Sequence, residues 1–168
     1  FGLFLDYKNL KKVNNRILEA ARRLKVKTVM WGECGHAWRA GIFTPTLSGS
    51  MDEFDPPYPY HIAQFVVKLL REGVFDGKLD KSANDNLLVT YHDPCNPARA
   101  GQLIDEPREI IHASCNNFIE MPPETIREKT FCCGAGGGLL TDEVMPIRMA
   151  GGKPRALAVK YTQANYLA

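Results

Sequence analysis

Between Leu10 and Leu24 the apolar residues Leu10, Val13, Ile17, Leu18, Ala21 and Leu24 recur at steps of three and four, with Lys11, Lys12, Arg16, Arg22 and Arg23 between them. That period predicts an amphipathic helix with one buried stripe. Residues 26–31 then form a short β-rich run that stops at Gly32, a strand opening into a loop. Residues 41–59 carry four prolines among glycine, serine and acidic residues, and read as a lid or an interaction loop. Tyr58, Ile62, Phe65, Val66, Leu69 and Leu70 mark a second core-facing helix that ends near Gly73. A compact strand is expected over residues 87–91, and a helix from Pro107 with Asp105 or Glu106 as its cap. Residues 117–121 and 130–132 read as short extended pieces, and two helices over residues 139–149 and 154–167 complete the pattern. The alternation predicts an α/β domain with short, mainly parallel strands, whose sites gather beyond the carboxyl ends of the strands.

Composition narrows the function. The 168 residues suit one compact domain, and 45% hydrophobic content is ordinary for a globular protein. A net charge of +2 gives no large excess for gripping a phosphate backbone or an anionic bilayer, so nucleic acid is not expected as a partner. The longest apolar candidates, around Phe65 to Leu70, are interrupted by Lys68, so no membrane span is expected in this chain. Five cysteines, two of them adjacent, make a poor disulfide framework and point to a reducing compartment. Phe1 is not an initiator methionine and residues 158–168 read as a helix cut off in mid-course, so the chain is expected to be part of something longer.

The cysteines carry the chemistry. Cys132 and Cys133 head the run Cys132-Cys133-Gly134-Ala135-Gly136-Gly137-Gly138, and adjacent thiols pair with each other only through a strained ring. Cys95 lies in Tyr91-His92-Asp93-Pro94-Cys95-Asn96-Pro97, and Cys34 in Trp31-Gly32-Glu33-Cys34-Gly35-His36. Each thiol follows a short apolar run and opens a loop. Thiolates suit iron, whose positive charge keeps them deprotonated. No complete C-x-x-C occurs, so any site is gathered by the fold and not by local spacing. Two inert buried thiols are the plain alternative. A phosphate cradle is the other, but the last glycine of G-x-G-x-x-G is missing and no Gly-Lys-Ser/Thr follows.

Asp93-Pro94-Cys95, a gap of 36 residues and Cys132-Cys133-Gly134 with trailing glycines resemble the cysteine-rich CCG domain of the heterodisulfide reductase catalytic subunit family. In that family the pattern Cys, Cys-Cys-Gly, Cys-x-x-Cys usually occurs twice. The resemblance implies that residues 87–168 are a second repeat, with its closing Cys-x-x-Cys expected at or just beyond Ala168. Residues 1–86 would then be the tail of a degenerate first repeat with a connecting loop and helix. Trp31-Gly32-Glu33-Cys34 looks like a Cys-x-x-Cys whose first cysteine has become Trp31. Together with Gly35-His36-Ala37-Trp38-Arg39, it is most similar to the K-subunit branch of the family, linked to dissimilatory sulfite reduction.

The resemblance implies a four-iron four-sulfur cluster, non-cubane or site-differentiated, on Cys95, Cys132 and Cys133, with Cys34 as a further ligand or a redox-active thiol. It implies reduction of a disulfide or trisulfide on a small protein or thiol, with electrons from a membrane cytochrome-type subunit and other electron-transfer subunits at the cytoplasmic face. Such cleavage needs protons, and His36 and His92 each lie within three residues of a site cysteine. Arg39 and Arg99 are candidates to hold a substrate carboxylate. Gly134, Gly136 and Gly137 are expected to keep side chains off the cluster, while amides of the next helix favour its negative charge. Cys115 falls between motif positions and reads as a helix-end residue; His61 and His112 read as surface or packing residues. A relay that only passes electrons, a quinone-linked organic-acid oxidoreductase of the same family, and a zinc-bound or metal-free scaffold are the rival readings.

Overall fold

The computed structural model describes residues 6–48, 58–136 and 141–168. Helix α1 (Tyr7–Arg23) starts at Asp6, whose side chain accepts from the Asn9 amide at 3.0 Å, and ends on Arg22 and Arg23, as the helix dipole favours. Strand β1 (Thr28–Trp31) follows, then α2 (Gly35–Ser48), β2 (Tyr58–His61) and α3 (Ile62–Arg71). His61 is the cap of α3: its Nδ1 accepts from the Ala63 amide at 3.1 Å, and Gln64 Oε1 accepts from the His61 amide at 3.2 Å. The remaining elements are β3 (Val89–Thr90), a π turn at Asn96–Ala100, α4 (Glu106–Ser114), α5 (Met145–Thr162) and β4 (Tyr166–Leu167).

The strands form two parallel pairs, β1 with β2 and β3 with β4, and an isolated parallel bridge joins Val89 to Phe118. The α/β class with short parallel strands is therefore the observed one. No described helix is long and apolar enough to cross a membrane.

Several expected elements differ. Residues 41–48 continue α2 instead of opening a loop, and Gly41 within it lies under the Trp31 ring, where an added Cβ would stand 2.7 Å from the indole. Of the rest of the expected lid, residues 49–57 lie outside the described residues, while Tyr58 and Pro59 are in strand β2, paired in parallel with β1, so Tyr58 belongs neither to a loop nor to the second helix. The two terminal helices are one, α5, which runs through Gly151, Gly152 and Pro154. A proline inside a helix forfeits one hydrogen bond, and here tertiary contacts made by Gly152 and Arg155 on either side of it outweigh that loss. The last residues are not helical. Gln163 turns with φ of 55°, and Asn165 accepts from the Leu88 amide at 2.8 Å and donates to the Asn86 carbonyl at 3.1 Å, laying β4 beside β3. Residues 130–132 form no strand among the described residues.

Candidate functional site

Cys95 is placed by its neighbour Asp93, which is wholly buried. Both Asp93 carboxylate oxygens accept from Arg108, at 2.7 and 2.9 Å, and Oδ2 also accepts from the Arg127 amide at 2.8 Å. Arg108 in turn donates to both oxygens of Glu120, at 2.5 and 3.1 Å. Burial opposes the Asp93 charge, but the hydrogen bonds from Arg108 and the Arg127 amide prevail and hold its carboxyl below the usual range. This ion pair fixes the turn from which Pro94 and Cys95 leave.

The same turn captures the paired thiols. Thr130, wholly buried, donates its hydroxyl to the Asp93 carbonyl at 2.7 Å. Arg99, on the π turn after Cys95, donates to the Glu128 carbonyl at 2.9 Å and to the Thr130 carbonyl. Residues 128–130 are thus stitched to residues 93–99, and Cys132 and Cys133 emerge two residues later beside Cys95. The Gly134 amide donates to Cys132 Sγ at 3.3 Å, the kind of bond that lets a backbone stabilise a thiolate.

The third wall is the start of α2. Gly35 packs so closely on the π turn that an added Cβ would collide with Pro97 Cδ, and Arg39 Nη1 donates to Asn96 Oδ1 at 3.2 Å. The three segments enclose a cavity of about 460 Å³ lined by Gly35, His36 and Arg39 from α2, by His92 and residues 94–97, and by Cys132, Cys133, Ala135 and Gly136. His36 lies next to Gly136 in its wall, with Nε2 3.9 Å from where a Cβ on Gly136 would be.

Of the expected site residues, Cys95, Cys132, Cys133, His36, His92, Arg39 and Gly136 line the cavity. Cys34 is exposed and stands one residue before it, its carbonyl accepting from the Trp38 amide at the head of α2. Arg99 spends its guanidinium on backbone carbonyls and does not line the cavity, so its place in the site is structural support. Gly134 faces away from the cavity: with φ of 81° and the Arg148 carbonyl oxygen where an added Cβ would go, it seats the cysteine loop on α5, and Gly152 meets the Cys133 carbonyl in the same way. Gly137 lies outside the described residues. Cys115 caps the carboxyl end of α4, while His61 packs edge-on against Trp38 at 5.6 Å.

His92 is pushed down to about 4, first by burial and then by the nearby charge of Arg155, with Asp93 opposing. It is therefore a neutral ring at neutral pH, and its Nδ1 has no partner among the described residues. Thr130, Arg108 and Arg155 were not expected from the sequence, since they stand in no motif and only the fold brings them to the cysteines.

The donor set fits a cluster. Cys95, Cys132 and Cys133 are free thiols, and soft sulfur donors select iron–sulfur centres. Among the described residues no three His, Cys, Asp or Glu side chains converge on a single ion. A polynuclear cluster instead needs thiolates spread around a cavity several atoms wide, which is the arrangement found.

Residues 89–168 match the CCG family, described as a cysteine-rich domain. The Hdr-like menaquinol oxidoreductase iron–sulfur subunit 2 of Archaeoglobus fulgidus is 38% identical across 99% of this chain and 35% of that protein. Its counterpart in Archaeoglobus profundus is 37% identical with the same coverage, 99% of this chain and 35% of the relative. One subunit of the dihydromethanophenazine:CoB–CoM heterodisulfide reductase of Methanosarcina mazei is 34% identical over 73% of this chain and 28% of its own length. The chain therefore spans about a third of the length of these curated relatives. No solved structure gives a significant match. Fold and site together define an α/β protein of the iron–sulfur class, with cysteines gathered from separate loops. The chain belongs to the CCG-domain family of heterodisulfide-reductase-like iron–sulfur proteins.

Proposed function

We propose that this chain forms the substrate-facing part of an oxidoreductase subunit that holds a four-iron four-sulfur cluster and reduces a disulfide or trisulfide. The observation that carries the reading is the cavity in which Cys95, Cys132 and Cys133 meet His36 and Arg39. Cys95, Cys132 and Cys133 would hold the cluster, which when bound accepts and passes electrons one at a time. Cleaving one sulfur–sulfur bond takes two electrons and two protons and yields two thiols. His36, in the cavity wall beside Gly136, is placed to hand a proton to a departing thiolate, while neutral His92 keeps the inner wall uncharged and able to accept a hydrogen bond. Arg39 is placed to orient an anionic substrate group. The amino end of α2 adds its partial positive charge to the same wall.

Residues 87–168 act as one repeat in this reading, and residues 1–86 as the remnant of another. The end of β4 lies beside the site, since the Ala168 carbonyl accepts from the His92 amide at 3.0 Å. Relatives named as menaquinol oxidoreductase and heterodisulfide reductase subunits support electron-transfer partners. We assign the chain to the cytoplasmic face of a quinol-linked membrane complex, with the K-subunit likeness resting on the Cys34 and Cys95 motifs.

Anaerobic reconstitution with iron and sulfide tests the assignment. Cys132→Ser and Cys133→Ser each abolish the visible absorption; full iron content in either overturns it. Cys34→Ala separates ligand from redox thiol, since a ligand loses iron and a redox thiol keeps it. An electron paramagnetic resonance spectrum unmoved by added disulfide would favour the relay that only passes electrons.

A further inference from the structure

Among the described residues two arginines are buried, and they are treated differently. Arg108 is matched by two carboxylates, Asp93 and Glu120. Arg155, 4% exposed, has no carboxylate bonded to it among the described residues. Its donors go to neutral acceptors: Nη1 to Met121 Sδ, and Nη2 to the Thr125 carbonyl and, at 2.8 Å, to Thr130 Oγ1. Its Nε is buried with no partner among the described residues. The guanidinium also lies over the Phe131 ring at 5.8 Å, immediately before the paired thiols.

A buried charge without a counter-charge is expensive, and a clamp between α5 and the 121–130 segment needs donors but not charge. Arg155 stands on α5 three residues after Gly152, which is pressed against the Cys133 carbonyl. Burial lowers its pKa, and the two groups that oppose this are Asp93, already matched by Arg108, and Cys133. We infer that Arg155 is a positioning residue whose missing counter-charge is the anionic thiolate–iron–sulfur group held by Cys132 and Cys133, and that its positive charge raises the reduction potential of that group. The inference rests on the cluster reading above. A fixed cation favours the more negative, reduced state, and a low-dielectric wall makes the effect large.

The test is a redox titration, followed by electron paramagnetic resonance, of the anaerobically reconstituted protein and its variants. Arg155→Met, a neutral residue of similar length, shifts the midpoint to lower potential, and Arg155→Lys stays near the parent. Met121→Glu leaves Arg155 in place but gives it a carboxylate, so it shifts the midpoint in the same direction and serves if Arg155→Met does not fold. Variants with parental iron content and an unchanged midpoint overturn the inference and leave the cluster reading standing. A parent that takes up no iron and sulfide overturns both.

Discussion

Asp93 shows how much of the site depends on one side chain. It accepts from Arg108 and from the Arg127 amide, and its own carbonyl receives Thr130, so it sets both the Cys95 turn and the approach to Cys132. Asp93→Ala leaves Arg108 with half its counter-charge in a buried setting, and such a break costs about 3–5 kcal/mol. Urea unfolding of the cluster-free protein should show that loss, with little change for Cys115→Ser at the end of α4. A neighbouring residue adds a pH dependence. His92, held at about 4 against its usual 6.5, takes up a proton more readily unfolded than folded. Its contribution is therefore intact above pH 6.5 and is lost as pH falls from 6.5 toward 4. Asp93, also depressed, adds its own loss below that window. His92→Gln should flatten the upper part of the stability curve and leave the lower part in place.

At the level of elements, the α2–π turn and α5–cysteine loop contacts hold the cavity open to the thiols. Gly134 is the sharpest case, because its positive φ and its contact with the Arg148 carbonyl each exclude a side chain. Gly134→Ala should lower the melting temperature by on the order of 10 °C and reduce iron uptake, read by calorimetry and by iron assay. Gly151→Ala, with open space at its Cβ, is the control. The helical periods of α1 and α3 and the compact strand before Asp93 were legible in the sequence. The expected buried stripe of α1 is only partly buried, with Val13 52% and the capping Leu24 68% exposed, while Asn14 is buried and donates to the Ala40 carbonyl at 2.8 Å. What could not be read are elements decided from outside. Helix α5 passes its own proline because Arg155 and Gly152 are held by distant segments, and β4 forms because Asn165 bonds Asn86 and the Leu88 amide. The fold gathers the motif cysteines Cys95, Cys132 and Cys133 around one cavity, while the supports Thr130 and Arg108 stand in no motif. Arg99 proved to hold carbonyls, and Arg155 stands in no motif.

For the molecule as a whole, the cavity lies where three separately encoded segments meet, namely the head of α2, the π turn after Cys95 and the loop at Cys132. No covalent link joins them among the described residues, since all five cysteines are free. Hydrogen bonds and glycine contacts bring the walls together, so a group bonded to thiols on two of the walls would act as the missing cross-link. Anything that binds only the folded state adds its binding free energy to stability, and cluster ligands far apart in sequence have no ready-made site when unfolded. Removing iron with a chelator under anoxic conditions should therefore lower the melting temperature well beyond the effect of Cys115→Ser. Hydrogen exchange should locate the change, with protection lost at residues 92–101 and 130–136 while α1 and α3 keep theirs. An equal loss of protection in α1 would mean that the whole fold, and not the meeting of these walls, depends on the bound group.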